Sequence, residues 1–204
     1  MKLIVFGASG GVGRQVVRQA LEAGHQVTAY VRDPNLLSIN HSSLKVIQGD
    51  ALHLGYVKEA IKGQDAVISC IGSRGMGKTT LMSDVMLNVL DGMREHGVTN
   101  IAYVASAGIH RELKGVIGYI ISYVLRHVLA DHRRAYERMR DSELRWTVAR
   151  PLQLTDGGFT GIYREAESSV PTSGQKISRA DVAHFLLKAV VDDKYNGKSV
   201  GLAY

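Results

Sequence analysis

Short apolar runs, many of them rich in β-branched residues, recur along the chain and alternate with more polar, periodic stretches. A near-continuous apolar run is typical of a parallel strand that is covered on both faces. The predicted strands are Lys2–Phe6, Gln26–Val31, Leu44–Gln48, Ala66–Cys70, Asn100–Ala105 and Arg145–Ala149.

Three of the segments between or after these strands have the spacing of amphipathic helices. Their apolar stripes cover residues 12–21, 81–93 and 182–190. Gly24 and Gly97 stand where the first two helices should end, and Ser178 is a start signal for the third. Strands that alternate with helices predict a Rossmann-type α/β fold, which is a doubly wound, mostly parallel sheet with helices on both faces.

Composition agrees with one ordinary globular domain over residues 1–204, because hydrophobic residues make up 45% and charged residues 22% of the chain. No basic-then-apolar leader opens the sequence, and the single cysteine, Cys70, fits a reducing compartment, so we expect a cytoplasmic protein. The formal charge of +6 allows several polyanionic partners. The cations are scattered and lack interleaved aromatics, which argues against nucleic acid.

A glycine-rich turn, Gly7-Ala8-Ser9-Gly10-Gly11-Val12-Gly13, follows the first predicted strand and opens the first predicted helix. Glycines at this spacing allow a tight turn, a close approach of pyrophosphate to the backbone, and close packing of helix on strand. The helix start then directs its N–H groups at the phosphates. The predicted cofactor contacts here are Gly7, Ser9, Gly10, Gly11, Val12 and Gly13.

The end of the second predicted strand indicates which nucleotide is bound. An NAD site needs a carboxylate there for the ribose 2′-hydroxyl, whereas Arg32 suits the 2′-phosphate of NADP. Asp33 could blur this preference if it points inward. The plain alternative is an exposed arginine before a turn at Pro34. We therefore expect NADP, as NADPH.

Two other motifs suggest different chemistry. The first turn also matches the G-x-S-x-G nucleophile elbow, but it follows the first strand rather than a central one, which argues against a hydrolase. Residues Gly72–Thr79 fit the P-loop pattern between a strand and a helix. The later strands do not end in a carboxylate that would help to hold magnesium, so a P-loop NTPase is kept as a remote alternative.

The motifs together resemble the atypical short-chain dehydrogenases, and among them the biliverdin-IXβ reductase/flavin reductase group, almost end to end. The segments that carry this resemblance are Phe6–Gly10, Val31-Arg32-Asp33, Gly49-Asp50, Gly63–Ile68, Gly72-Ser73-Arg74, Thr79–Ser83, His96-Gly97-Val98, Ala105-Ser106-Ala107, Asp131-His132 and Ile177–Phe185. The resemblance implies NADPH-dependent reduction of a flat aromatic or conjugated small molecule.

The resemblance also implies roles for individual residues. Asp50 would accept from the adenine amino group, with a helix N-cap as the alternative. Ser106 would be catalytic, orienting the nicotinamide or the acceptor, unless its hydroxyl only satisfies backbone. His132 takes the place of the catalytic lysine of ordinary short-chain dehydrogenases. The remaining cofactor contacts that the resemblance implies are Ala51, Gly72, Arg74, Met82, Pro151, Leu152 and Gln153.

The usual tyrosine–lysine pair is missing, and this is chemically informative. Ketone reduction needs an acid, whereas hydride transfer to flavin or to a linear tetrapyrrole delocalises charge. A histidine expected just after Pro151 is also missing, since Gln153 stands in that segment, so His132 is the remaining titratable candidate. We expect a flavin or bilin reductase. The alternative is a non-catalytic NADP(H)-binding redox sensor.

The segment 115–130 is unusually apolar, yet too short to span a bilayer. It predicts a helix near an acceptor site formed by about residues 106–170, where Tyr119 or Tyr123 could stack on substrate. Core packing, a dimer contact and a membrane-surface contact are the alternatives. The sequence indicates no transmembrane segment and no metal site, and it leaves monomer and dimer open.

Overall fold

A computed structural model describes residues 1–73, 75–167 and 169–204. Its strands are β1 (Lys2–Phe6), β2 (Gln26–Val31), β3 (Leu44–Gln48), β4 (Ala66–Ser69), β5 (Asn100–Val104), β6 (Arg145–Pro151), β7 (Gln153–Thr155), β8 (Arg164–Ala166), β9 (Lys176–Ser178) and β10 (Lys198–Ala203). Its helices are α1 (Gly11–Glu22), α2 (Leu54–Ile61), α3 (Leu81–His96), α4 (Gly115–Val124), α5 (Arg126–Arg140) and α6 (Arg179–Val191). Short 3-10 helices cover Pro34–Leu36 and Asp193–Tyr195.

Eight strands form the main sheet in the order β3-β2-β1-β4-β5-β6-β10-β8. All neighbours are parallel except β10 and β8. β7 and β9 form a separate parallel pair. The predicted Rossmann-type fold is confirmed.

The core consists of two apolar layers, one on each face of the sheet. Side chains alternate along a strand, so Leu3 and Val5 of β1 face the layer with α1 and α6, while Ile4 and Phe6 face the layer with α3 and α5. Both layers are buried, which explains why β1 and β4 are continuous apolar runs.

The predicted helix signals correspond to observed caps. Gly97 ends α3 with a left-handed φ of +67°. At the start of α6 the Ser178 hydroxyl accepts from the Asp181 backbone N–H at 3.0 Å.

The apolar segment 115–130 forms two elements, α4 and the first part of α5. Of the ten residues of α4, all of which are described, Gly118 is the buried one. Packing in the core therefore does not account for the composition of α4. Within the described part of the chain, no helix combines the length and the apolar character needed to cross a membrane.

Candidate dinucleotide site

A cleft of about 290 Å³ opens at the carboxyl ends of β1 to β4. This is the edge where the strand order reverses between β1 and β4, the usual ligand position in doubly wound sheets. Its size is near the lower end of the range for ligand pockets, about 300 Å³, and suits one part of a dinucleotide. The predicted residues that line it are Gly7, Ser9, Gly10, Arg32, Asp50, Ala51 and Gly72.

The first glycine-rich turn is packed so closely that side chains are excluded. Gly7 has a φ of +74°, and a Cβ there would lie 2.7 Å from the Cys70 carbonyl oxygen. A Cβ at Gly13 would lie 2.2 Å from the Gly7 carbonyl oxygen. Gly7 and Gly13 therefore bring α1 against the carboxyl end of β1, as the sequence predicts.

The start of α1 suits an anion. None of the described side chains caps this helix, and its first turn holds no acidic residue. The N–H groups of Gly11, Val12 and Gly13 belong to the first turn, where intrahelical acceptors are lacking. These three residues lie just beyond the cleft lining. Pyrophosphate fits this combination of free donors and positive dipole end.

Arg179 adds a cation to this turn that the sequence reasoning did not assign to the site. Its side chain lies over Gly11, where a Cβ would be 2.6 Å from the arginine Cδ. The guanidinium pairs with the Asp156 carboxylate at 2.7 Å, and that carboxylate is almost fully exposed. The only sequence signal was the position of Arg179 in a family motif at the start of α6.

Arg32 and Asp33 at the end of β2 have different surroundings. Asp33 accepts from the Asn35 backbone N–H at 3.0 Å and caps the 3-10 helix that follows. Arg32 is exposed on the cleft lining, and no carboxylate among the described residues forms an ion pair with it. Asp33 is therefore engaged in the turn, while the guanidinium is available to a phosphate.

The floor of the cleft near β3 is formed by Asp50 and an aromatic residue that the sequence reasoning missed. Asp50 accepts from the Leu52 N–H at 3.0 Å, and the N-cap position of α2 is His53, so Asp50 stabilises a turn and does not cap the helix. The Tyr30 hydroxyl donates to the Asp50 carbonyl oxygen at 3.3 Å. Its ring lies where a Cβ of Gly49 would be, 2.2 Å from the hydroxyl oxygen.

Cys70 lines the same cleft at the carboxyl end of β4. Desolvation by the surrounding protein raises the pKa of its thiol to about 12. The thiol is therefore neutral at physiological pH.

A second group of predicted residues lies at the carboxyl ends of β5 and β6, outside the cleft lining. The Ser106 hydroxyl donates to the Ala107 carbonyl oxygen at 3.1 Å. The Ala107 N–H donates to Pro151 at 3.0 Å, which joins the two strand ends. Leu152 follows, and Gln153 is exposed in β7. The structure thus places Ser106 beside the 151–153 segment, and their roles remain predictions.

Two predicted residues are buried away from the cleft. Met82 is 2% exposed within the apolar layer, and the cleft is lined by its neighbour Leu81 instead. His132 is 6% exposed and shares a hydrogen bond with the Tyr103 hydroxyl. Burial lowers the pKa of His132 to about 4, so the ring is neutral at physiological pH. This position does not support a role for His132 as a proton donor to substrate.

The helix that follows the P-loop-like segment does not begin with free phosphate-binding donors. The carboxylate of Asp131 accepts from the backbone N–H groups of Met82 at 2.9 Å and Ser83 at 3.2 Å. These are the donors at the start of α3 that a nucleotide phosphate would need. Asp131 already occupies them, which argues against an NTPase. Arg74, predicted to contact the cofactor, lies outside the described residues.

The fold and the cleft together define a Rossmann-type dinucleotide-binding protein. A family described as NAD(P)H-binding matches residues 7–193. The chain belongs to this NAD(P)H-binding family, which confirms the family that the sequence motifs predict.

Several known proteins resemble the chain over nearly its whole length. Reductase pytE of Aspergillus terreus is 26% identical, covering 98% of this chain and 96% of its own. The anaerobillin reductase ChuY of Escherichia coli O157:H7 has a TM-score of 0.82 at 22% identity, covering 100% of this chain and 97% of its own. A short-chain dehydrogenase/reductase of Veillonella parvula in complex with NADP has a TM-score of 0.82 at 18% identity, covering 100% and 94%. At these identities the two structures show the shared fold.

Proposed function

We propose that this protein is an NADPH-dependent reductase that transfers hydride to a flavin or to a linear tetrapyrrole. The observation that carries the cofactor preference is the exposed guanidinium of Arg32 on the cleft lining, beside an Asp33 that is engaged in a turn. A guanidinium at this position pairs well with the 2′-phosphate. Relatives that are named reductases support the activity.

Different residues of this chain would bind different parts of NADPH. The uncapped start of α1 would hold the diphosphate, and Arg32 would hold the 2′-phosphate. The Asp50 carboxylate would accept a hydrogen bond from the adenine amino group. Ser106 would orient the nicotinamide carboxamide or the acceptor. NADPH, when bound, supplies the hydride.

The choice of acceptor is supported by the lack of a suitable proton donor at the two positions where the sequence predicts one, residue 132 and the 151–153 segment. His132 is buried and neutral, and the 151–153 segment contains no titratable side chain. Flavin N5 and a conjugated bilin carbon disperse the incoming charge, so positioning carries more of the barrier than acid catalysis. A carbonyl substrate would leave an alkoxide that lacks such an acid.

The test mixes protein, NADPH and excess FMN or biliverdin, and follows the loss of reduced-nicotinamide absorbance against a mixture without protein. We expect protein-dependent oxidation that is faster with NADPH than with NADH. Ser106→Ala should lower kcat and leave the Kd of NADPH within about twofold, because its hydroxyl would act beyond the phosphate contacts. Binding of NADPH without turnover on any flavin, bilin or quinone would falsify the reductase proposal.

A second candidate is a non-catalytic NADP(H) sensor. The buried, neutral state of His132 favours it, because a sensor needs no proton donor. The same assay separates the two: a sensor binds NADPH and NADP⁺ with different affinities but does not consume NADPH. The cytoplasmic location stays a prediction.

A further inference from the structure

Helix α4 presents large apolar side chains to solvent around most of its circumference. Single exposed apolar residues are ordinary on a protein surface, but a contiguous set marks an interaction site. The most exposed members are Val116 at 77%, Ile117 at 75%, Tyr119 at 74% and Tyr123 at 61%.

One small residue lets the chain turn tightly into this helix. Gly118 is buried, and a Cβ there would lie 2.8 Å from the Leu113 carbonyl carbon. Gly118 thus packs against the residue that leads into the helix, while Ile117 and Ile120 are exposed to solvent. Because Gly118 is the buried residue of α4, the large apolar side chains of the helix are left to solvent.

The charged side chains nearest to α4 in the sequence, Lys114 and Arg126, are positive. Residues 113–130 contain no Asp or Glu. Lys114 precedes the helix, and Arg126 and His127 follow it. The guanidinium of Arg126 lies 4.6 Å from the centre of the Tyr123 ring. This order of cations, aromatic rings and aliphatic side chains suits an interface between water and an anionic bilayer.

A basic cavity of about 420 Å³ adjoins the carboxyl end of α4. Lys78, His127 and Arg134 line it together with the hydroxyl-bearing residues Thr79 and Thr80. Arg134 is partly neutralised by Asp131, whose oxygen lies 3.2 Å away, while Asp131 itself is fully buried. The cavity thus offers cations and hydroxyl donors to a phosphate at the place where the apolar helix ends.

We propose that α4 docks this protein on the surface of a membrane containing anionic phospholipid, with a lipid headgroup phosphate in the cavity beside α5. A ten-residue helix is about 15 Å long, half the thickness of the hydrocarbon layer, so it would lie along the surface. A second copy of the chain is a poorer partner, because pairing two α4 helices would bring Lys114 and Arg126 of one copy near the cations of the other. The inference does not depend on the reductase activity.

The test measures co-sedimentation of the protein with phosphatidylcholine vesicles that contain or lack phosphatidylglycerol. We expect binding to the anionic vesicles, weakened about tenfold or more by the double variant Ile117→Ser with Ile120→Ser. Lys114→Gln with Arg126→Gln should weaken it about tenfold and reduce its salt dependence. The matched controls are Ile162→Ser, at an exposed isoleucine outside α4, and Lys62→Gln, at an exposed lysine that ends α2.

A second readout protects the test against a variant that does not fold. Tyr119→Trp in a Trp146→Phe background places the single indole on α4, and its fluorescence should shift to the blue and be quenched by brominated lipid. Equal binding to both vesicle types, equal binding by the α4 variants and the controls, or an indole that lipid does not quench would each overturn the proposal. Self-association through α4 without vesicle binding would do the same.

Discussion

Arg32 and Asp33 are neighbours in sequence, but the turn that follows gives them different tasks. Asp33 accepts from Asn35 at 3.0 Å because Pro34 starts a 3-10 helix there, and this turns its carboxylate to a local donor. Arg32 keeps its charge on the cleft. The sequence shows both residues, yet the direction of each side chain depends on the turn geometry.

Arg32→Glu tests the proposed 2′-phosphate contact. The change removes a charge-assisted hydrogen bond and adds repulsion, so the Kd of NADPH should rise about 10- to 100-fold while that of NADH changes little. Isothermal titration with both nucleotides measures this. Arg18→Glu, an exposed charge reversal on α1, serves as the control. Equal losses for NADPH and NADH would remove Arg32 from its assigned role.

His132 predicts a pH dependence of stability. Its pKa is about 4 in the folded protein, against 6.5 for a histidine in an unfolded chain, so below pH 6.5 the unfolded state binds the extra proton. The stability that His132 contributes is present above pH 6.5 and is lost as the pH falls towards 4, by about 3 kcal/mol at most. Urea unfolding of wild type and His132→Gln between these pH values measures it. The exposed His41→Gln is the control; an equally steep pH profile for His132→Gln would contradict the prediction.

At the scale of elements, two glycine-rich segments each join a strand to a helix, and the helix starts that follow them differ. The donors at the start of α1 are uncapped among the described side chains, while those at the start of α3 bind the Asp131 carboxylate. Asp131 is 49 residues from Met82 along the chain. A local motif therefore cannot reveal that one of the two anion sites is already filled.

Asp131→Ala tests this capping. It leaves the buried N–H groups of Met82 and Ser83 without their acceptor and should destabilise the fold by about 2 to 4 kcal/mol. Chemical denaturation gives the free energy of unfolding. Asp91→Ala, an exposed aspartate on α3 paired with Arg94, should cost less than about 0.5 kcal/mol. Similar costs for both variants would show that the contact with α3 contributes little.

The strands with long apolar runs are predictable, and the short ones are not. β1, β2 and β3 have the predicted bounds, because their runs are bordered by turn residues. β7, β8 and β9 have three residues each, too few for any periodicity, and pair only through tertiary contacts. The position of the cleft depends on strand order, which is also set by tertiary contacts. Motifs in the sequence identify Gly7 and Arg32, whereas Tyr30 and Arg179 are brought to the site by packing.

At the scale of the whole molecule, one buried arginine connects the carboxyl-terminal region to the main sheet. Arg150 in β6 is 0% exposed, and its guanidinium donates to the Ser199 hydroxyl at 2.9 Å and to the Glu167 carbonyl at 2.8 Å. It also pairs with the Glu112 carboxylate, which is itself nearly buried. These contacts connect three parts of the chain to one guanidinium. The parts are the loop after β5, the segment that follows β8, and strand β10 itself.

Glu112→Ala should remove the partner of this buried charge. The cost of breaking a buried ion pair is about 3 to 5 kcal/mol, and the Tm should fall by roughly 10 °C. Differential scanning calorimetry measures both. The control is Asp193→Ala, which breaks the exposed pair with Arg145 and should shift the Tm by no more than about 3 °C. A Tm for Glu112→Ala that matches the control would mean that solvent already compensates Arg150.

The protonated state of Cys70 has a consequence for how the protein withstands oxidation. The proposed activity would form reduced flavin, which passes electrons to dioxygen and releases peroxide, and a thiolate in the cleft would be a target of that product. A sulfur with a pKa of about 12 reacts slowly with oxidants and alkylating agents. The chain thus carries its single thiol on the cleft lining in an unreactive form, so peroxide should leave the nucleotide site unmodified.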